Sequence, residues 1–267
     1  MENRITDTAM NKIADIVKAD YEEMYNAYED FVTKDEISLL IVSAPTGMGK
    51  TATLDEILEN HRRDLNGWDD NAVQHLYYPA NEFEFLAGLV GNDGEFIDRN
   101  GDLRPRLLIL DNFDHDEDFA RLEGVFRMIS RPLGSPDRCI IEPYSGRRTQ
   151  LKGKVAVLTM RPAEALRELS YMWEEIVERA TVVNVRGRSI EEQFEFVKLI
   201  YDKIPIPLAG KKRYSFCDVM TAKESVLKIM EENIRKFNPQ WHVMTRKFVD
   251  LVQTLLLRGQ IRSHDLT

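Results

Sequence analysis

Cysteine is nearly absent: Cys139 and Cys217 are the only two in 267 residues. Two cysteines exclude a disulfide-stapled scaffold and an all-cysteine zinc site, and they suit a reducing cytoplasm, the expected compartment. Glycine (14) and proline (10) are too few for a collagen-like or low-complexity chain. With 43% hydrophobic and 30% charged residues, a wholly disordered chain is excluded as well. No apolar run approaches the ~18–20 residues a membrane span needs. The opening MENRITDTAMNKIADIVKADYEEMY lacks the basic start and apolar middle of a signal peptide, and its acids argue against a transit peptide. Positive charge is in deficit, with 36 Lys and Arg against 45 Asp and Glu and a net charge of -9. A general nucleic-acid coat is therefore disfavoured.

The charge is unevenly placed. Residues 1–130 carry 12 basic and 28 acidic side chains, net -16, whereas 131–154 carry 6 and 2, net +4. Residues 155–206 are near balance at net -2, and 207–267 reach net +5. A local basic loop can still meet phosphates.

Hydrophobic periodicity organises the chain. Met10, Ile13, Val17, Tyr21, Met24, Tyr25, Tyr28 and Phe31 recur at helical spacing over 8–32, an amphipathic N-terminal helix or two short ones. ISLLIVSAP, nearly unbroken from Ile37 to Val42, suits a central strand covered on both faces. TATLDEILENHRRD reads as a helix, AVQHLYYP as a strand, NEFEFLAGLV as a short helix and NDGEFIDRNGDLRPR as a polar loop. RLLILD, VAVLTM and TVVNV are further strands, separated by helices over FARLEGVFRMI and PAEALRELSYMWEEIVE. Alternating strands and helices imply a parallel sheet flanked by helices, an α/β class. After SIEEQFEFVKLIYDK the strand signal stops. A Pro/Gly/Lys-containing connector around IPIPLAGKKRY leads into two helical stretches, AKESVLKIMEENIRKF and MTRKFVDLVQTLLLR. The expected organisation is an N-terminal helical segment (1–36), an α/β core (37–188) and a helical lid (189–267).

The strongest signal is Ala44-Pro45-Thr46-Gly47-Met48-Gly49-Lys50-Thr51 between an apolar strand and a helix. It matches the phosphate-loop pattern with alanine for the first glycine. Gly47 and Gly49 let several backbone N–H groups converge on one anion, Lys50 reaches β- and γ-phosphates, and Thr51 offers a hydroxyl to magnesium. The following helix adds its positive end. ATP with Mg²⁺ is the expected ligand pair. A second carboxylate-bearing strand is expected downstream, and LLILDNFDHDED supplies Asp111 as a magnesium-shell ligand. The next residue is Asn112, whose amide cannot accept a proton from water; Asp114 or Glu117 could be the base instead. His115, Asp116 and Asp118 read as a solvated acidic loop rather than a metal site.

These residues resemble the AAA+ ATPases, within the wider class of P-loop NTPases. Over residues 37–258 the resemblance implies ATP binding and hydrolysis that drives remodelling or assembly of a macromolecular partner. It implies Thr159, at the end of VAVLTM, as a first sensor, Arg179 as an arginine acting on a neighbour's nucleotide, and Arg246 as a second sensor on the lid helix. Arg161 is second to Arg179 for the neighbour role. RPLGSPDRCIIEPYSGRRTQLKGK, before the sensor strand, suggests a hairpin of the kind seen in the MoxR-like branch. Its Arg147 and Arg148 could meet a neighbouring subunit, a nucleic-acid backbone or nothing. A homo-oligomer or a place in a larger assembly follows from the resemblance, with protein or nucleic acid as the substrate. SAPTGMGKT also looks like the first motif of superfamily 2 helicases, and Asn112 leaves room for an ATP-regulated switch or scaffold with weak or no hydrolysis. A nucleic-acid motor is a further alternative. Trp68, Trp173 and Trp241 read as packing residues.

Overall fold

The computed structural model describes residues 7–61, 72–77, 85–86, 89, 95–97, 101–141, 144–207, 214–234 and 244–266. The chain forms two compact units, one of Glu22–Pro45 and Gly49–Arg186, the other of Met1–Tyr21, Thr46–Met48 and Gly187–Thr267. Among the described residues no helix is long and apolar enough to cross a membrane.

The larger unit is built on five parallel strands: β1 (Leu39–Ser43), β2 (Val73–Tyr77), β5 (Leu107–Asp111), β8 (Lys154–Thr159) and β9 (Thr181–Asn184). Their spatial order is β2-β5-β8-β1-β9. The three inner strands are buried at every residue, as their unbroken apolar runs require, while β2 and β9 lie at the edges. The helices of this unit are the part of α1 (Asp7–Thr33) from Glu22 onward, α2 (Lys50–His61), α3 (Asp116–Ile129), α4 (Ala163–Arg167) and α5 (Tyr171–Arg179). The core between sheet and helices is aromatic. Phe113 meets Phe119 edge-on at 4.6 Å, Phe119 meets Trp173 edge-on at 5.0 Å, and the Trp173 indole N–H donates to the Phe119 carbonyl.

Four expectations are corrected. Within the stretch expected as a polar loop, β3 (Glu95–Ile97) pairs antiparallel with β4 (Leu103–Pro105). In the connection between them Gly101 holds φ 85°, a left-handed backbone that suits glycine. The single helix expected over PAEALRELSYMWEEIVE is broken into α4 and α5, because the Ser170 hydroxyl accepts from the Trp173 N–H and restarts the helix. Asp116, Glu117 and Asp118 form the first turn of α3 instead of a loop, where their charge favours the positive helix end. The helix expected from Ala222 begins earlier, as described below. The hairpin of the basic block is present as β6 (Cys139–Ile141) and β7 (Arg148–Gln150). Its root is held by Arg138, which is fully buried and donates to the carbonyls of Leu151 (2.8 Å) and Gly153 (2.6 Å). Most of the helix expected over 81–90 and most of the connector expected over 204–214 lie outside the described residues, as do Trp68 and Trp241.

In the other unit, α6 (Ile190–Ile200), α7 (Phe216–Asn233) and α8 (Met244–Arg258) pack through Phe194, Val197, Val226, Met230, Phe248 and Val252. Reciprocal capping boxes start α6 at Ser189 with Glu192 and α7 at Ser215 with Asp218. The second box explains why α7 starts at Phe216. Within this unit Arg188 stacks on the Phe196 ring at 4.6 Å, and its guanidinium lies 3.7 Å from Asp20.

Lys154, the first residue of β8, is fully buried. Its ammonium donates to the carbonyls of Phe31 (3.0 Å) and Lys34 (2.5 Å), groups at the end of α1 that have no onward helical partner. It lies 3.7 Å from the Asp35 carboxylate, which also meets Arg104 at 3.4 Å. Burial pushes the Lys154 pKa down to about 8, against the pull of Asp35. The folded value is depressed, so the unfolded chain binds the extra proton between about 8 and 10.5. Stability from this group is complete above 10.5 and is lost as pH falls through about 8. The free energy of unfolding, measured by urea titration, should therefore rise by up to about 3 kcal/mol across that window in the parent relative to Lys154→Met. Parallel pH profiles for the two proteins would refute the burial of a titrating amine here.

Candidate functional site

The sheet order brings three strand ends together. β8 lies between β1 and β5, so Ser43 is opposite Thr159 and Leu158 is opposite Asp111. The Ala44 N–H donates to the Thr159 carbonyl at 2.9 Å, continuing the ladder one residue into the loop. The Phe113 N–H does the same toward Leu158 at 3.2 Å. Ala44, Asp111 and Thr159 are thereby neighbours at the carboxyl edge of the sheet, where open α/β sheets bind ligands.

The loop from β1 to α2 turns through Gly47 (φ 81°) and Gly49 (φ 79°), a left-handed backbone that suits residues without a Cβ. The Thr53 N–H then closes the first helical turn on the Gly49 carbonyl. The Lys50 ammonium folds back over its own loop, donating to the carbonyls of Ala44 (2.5 Å) and Pro45 (3.4 Å). Burial pushes the Lys50 pKa down, and the carboxylates of Asp114 and then Asp111 pull it up. The Thr51 hydroxyl donates to Asp111 Oδ2 at 2.8 Å. Pro45 and Thr46 are partly buried and exposed, respectively, and Met48 is buried.

Beyond Asp111 the chain makes a sharp left-handed step. Asn112 is exposed and has φ 56°, the only positive φ at a described non-glycine residue. The step sends Phe113 into the core and Asp114 toward β8. Asp114 Oδ1 accepts from the Thr159 hydroxyl (3.0 Å) and from the Met160 N–H (2.6 Å). Thr159 Oγ1 in turn accepts from the Arg161 N–H at 3.0 Å. The Arg161 guanidinium donates to the Asp114 carbonyl at 3.0 Å and pairs with Asp116 at 2.7 Å. The structure therefore gathers Ala44, Lys50, Thr51, Asp111, Asp114 and Thr159, and it places the Asn112 side chain outside that group. Arg161 is engaged within its own chain. Arg179 pairs with Glu175, whose other oxygen takes Arg127 at 3.2 Å. Glu117 is exposed in the first turn of α3, and Arg246 is exposed in the first turn of α8. The Met160 N–H had no sequence signal, since a backbone donor has no side-chain signature, and the partners of Arg161 lie too far along the chain for spacing to reveal.

The donor set fits magnesium. Thr51 and Asp111 present a hydroxyl and a carboxylate in direct contact, hard oxygen ligands of the type that ion takes.

No protein-family model matches the sequence, and no significant match is found among curated proteins. Among solved structures, NtrX from Brucella abortus in complex with ATP overlaps 93% of this chain and 55% of its own, at 15% identity and TM-score 0.46. The S. cerevisiae Hsp104–ADP complex overlaps 97% and 41%, at 12% identity and TM-score 0.38. The Aeropyrum pernix ORC2 protein, in ADPNP–ADP complexes, overlaps 99% and 71%, at 14% identity and TM-score 0.31. The chain spans about half the length of NtrX. At these scores the overlaps carry no inference about activity.

The left-handed step at Asn112 has a measurable consequence. Asn112→Gly should leave the chemical-denaturation midpoint within error, while Asn112→Val should lower stability by about 1–2 kcal/mol, because a branched side chain clashes in that backbone region. Equal midpoints for the two variants would contradict the assigned turn.

Proposed function

We propose that this chain is a magnesium-dependent ATP-binding protein of the AAA+ type, which hydrolyses ATP to remodel or assemble a macromolecular partner. The observation that carries the reading is the contact between the Thr51 hydroxyl and Asp111, beside a buried Lys50 that faces its own phosphate loop. Lys50 releases the Ala44 and Pro45 carbonyls to neutralise phosphate oxygens. Backbone N–H groups at the start of α2 hold the same anion. Thr51 and Asp111 hold magnesium, which supplies charge neutralisation at the phosphates. The strand order, with a polar-ended β8 between β1 and β5, supports the same reading, because it puts Thr159 beside the phosphate loop.

A partner-binding role is supported by the β6–β7 hairpin, where Tyr144, Arg147 and Arg148 are exposed on a buried arginine root. A second reading, an ATP-regulated switch with slow turnover, is favoured by Asn112 alone.

Calorimetric titration with ATP and magnesium tests the site. Lys50→Ala should weaken affinity by about tenfold or more, the loss of a charge-assisted phosphate contact, with the melting temperature kept. Equal affinity in variant and parent would overturn the reading. Arg179, on the surface and paired with Glu175, is proposed to act on a neighbour's nucleotide. Phosphate release per subunit should then rise with protein concentration, and Arg179→Ala should lose that rise while binding ATP as the parent does. Concentration-independent release from a monomer, verified by light scattering, would remove Arg179 from this role.

A further inference from the structure

Hydrolysis of ATP is accelerated by a group that orients the attacking water and takes its proton. The position directly after Asp111 is an exposed asparagine in left-handed backbone, and its amide has no basic site for that proton. Four carboxylates follow within six residues. Asp116 is bound to Arg161 at 2.7 Å and Asp118 to Arg121 at 2.5 Å. Glu117 is exposed on the first turn of α3.

Asp114 differs from all three in receiving two donors from β8 and the residue after it: the Thr159 hydroxyl and the Met160 N–H both reach the same oxygen, Oδ1. The direction of the first bond is set locally. Thr159 Oγ1 already accepts the Arg161 N–H, so its single proton is available to Asp114. Among the described residues Oδ2 accepts no hydrogen bond, and it keeps its lone pairs for a further donor. Arg161 braces the segment from below, gripping the Asp114 carbonyl and Asp116 together.

We infer that Asp114 is the catalytic carboxylate for water activation, displaced by three residues from Asp111 and aimed by Thr159 and Met160. The assignment rests on the nucleotide reading above. As the water oxygen bonds to the γ-phosphorus, its proton passes to Asp114 Oδ2. The bond from the γ-phosphorus to the bridging oxygen breaks, and its electron pair stays on ADP. Release of that proton to solvent restores the carboxylate, leaving ADP and inorganic phosphate. Thr159 in this scheme is a positioning residue, since it acts through Asp114.

The test compares the full chain with Asp114→Asn and Asp114→Glu, measuring magnesium–ATP affinity by calorimetry, phosphate release and thermal melting on the same preparations. Asparagine keeps an acceptor for the Thr159 and Met160 donors but cannot take a proton. Asp114→Asn should therefore bind ATP within about twofold of the parent and melt as the parent does, while phosphate release falls about 10²-fold or more. Asp114→Glu should recover part of the loss, because it restores a base on a longer arm. Thr159→Val adds an independent reading: it should lower turnover with ATP affinity kept, and Thr159→Ser should restore it. Asp114→Asn turnover within about threefold of the parent, with ATP binding intact, would overturn this assignment and leave the nucleotide reading standing. A parent protein that binds ATP but releases no phosphate would also overturn it. Failure of the parent to bind ATP would overturn the nucleotide reading itself, and this assignment with it.

Discussion

Everything at the candidate site depends on β8 being wedged between β1 and β5. Parallel pairing on both of its edges fixes Ser43 against Thr159 and Leu158 against Asp111. A shift of one residue in either ladder would turn every buried side chain of β8 to the opposite face. All six residues of that strand are buried, so the register is strongly enforced by the core. A misplaced strand would also separate Lys154 and Thr159 from their hydrogen-bond partners, so the polar residues at both ends share in fixing the register.

The polar residues then form two linked groups. One is Thr51 on Asp111; the other is Asp114 with Thr159, Met160 and Arg161. Lys50 lies between them electrically, its charge held up by both carboxylates against the burial that disfavours it. The ammonium rests on the carbonyls of Ala44 and Pro45, neutral acceptors that an anionic ligand would outcompete. At the opposite end of β8, Lys154 fastens the end of α1 to the sheet. One strand thus carries a buried ammonium at its start and a doubly hydrogen-bonded hydroxyl at its finish.

Much of this was legible in residue order. The apolar runs at Ile37–Val42, 107–111 and 155–158 could only be satisfied as covered strands, and the two glycines of Gly-Met-Gly-Lys-Thr announced a tight turn between strand and helix. The three C-terminal helices followed from their periodicity. Misreadings arose where one hydrogen bond decides against composition. Ser170 splits a helix, and Ser215 with Asp218 extends one by six residues. Arg161 looked available for a neighbour by its position after β8, yet it is spent on Asp114 and Asp116, partners 47 and 45 residues earlier that no local spacing could identify.

The sequence by itself determined the alternation of strands and helices, the glycine turn between β1 and α2 and the presence of a carboxylate at the end of β5. These are properties of short segments, set by side-chain period and backbone freedom. Which carboxylate of DNFDHDED faces β8 was decided only by tertiary structure. The left-handed step at Asn112 buries Phe113 in an aromatic core drawn from α3 and α5, and this reverses the chain so that Asp114 meets Thr159. The spacing between Asp111, Asp114 and Glu117 is local; the ring cluster that chooses among them is assembled from segments some 60 residues apart, and only folding brings it together.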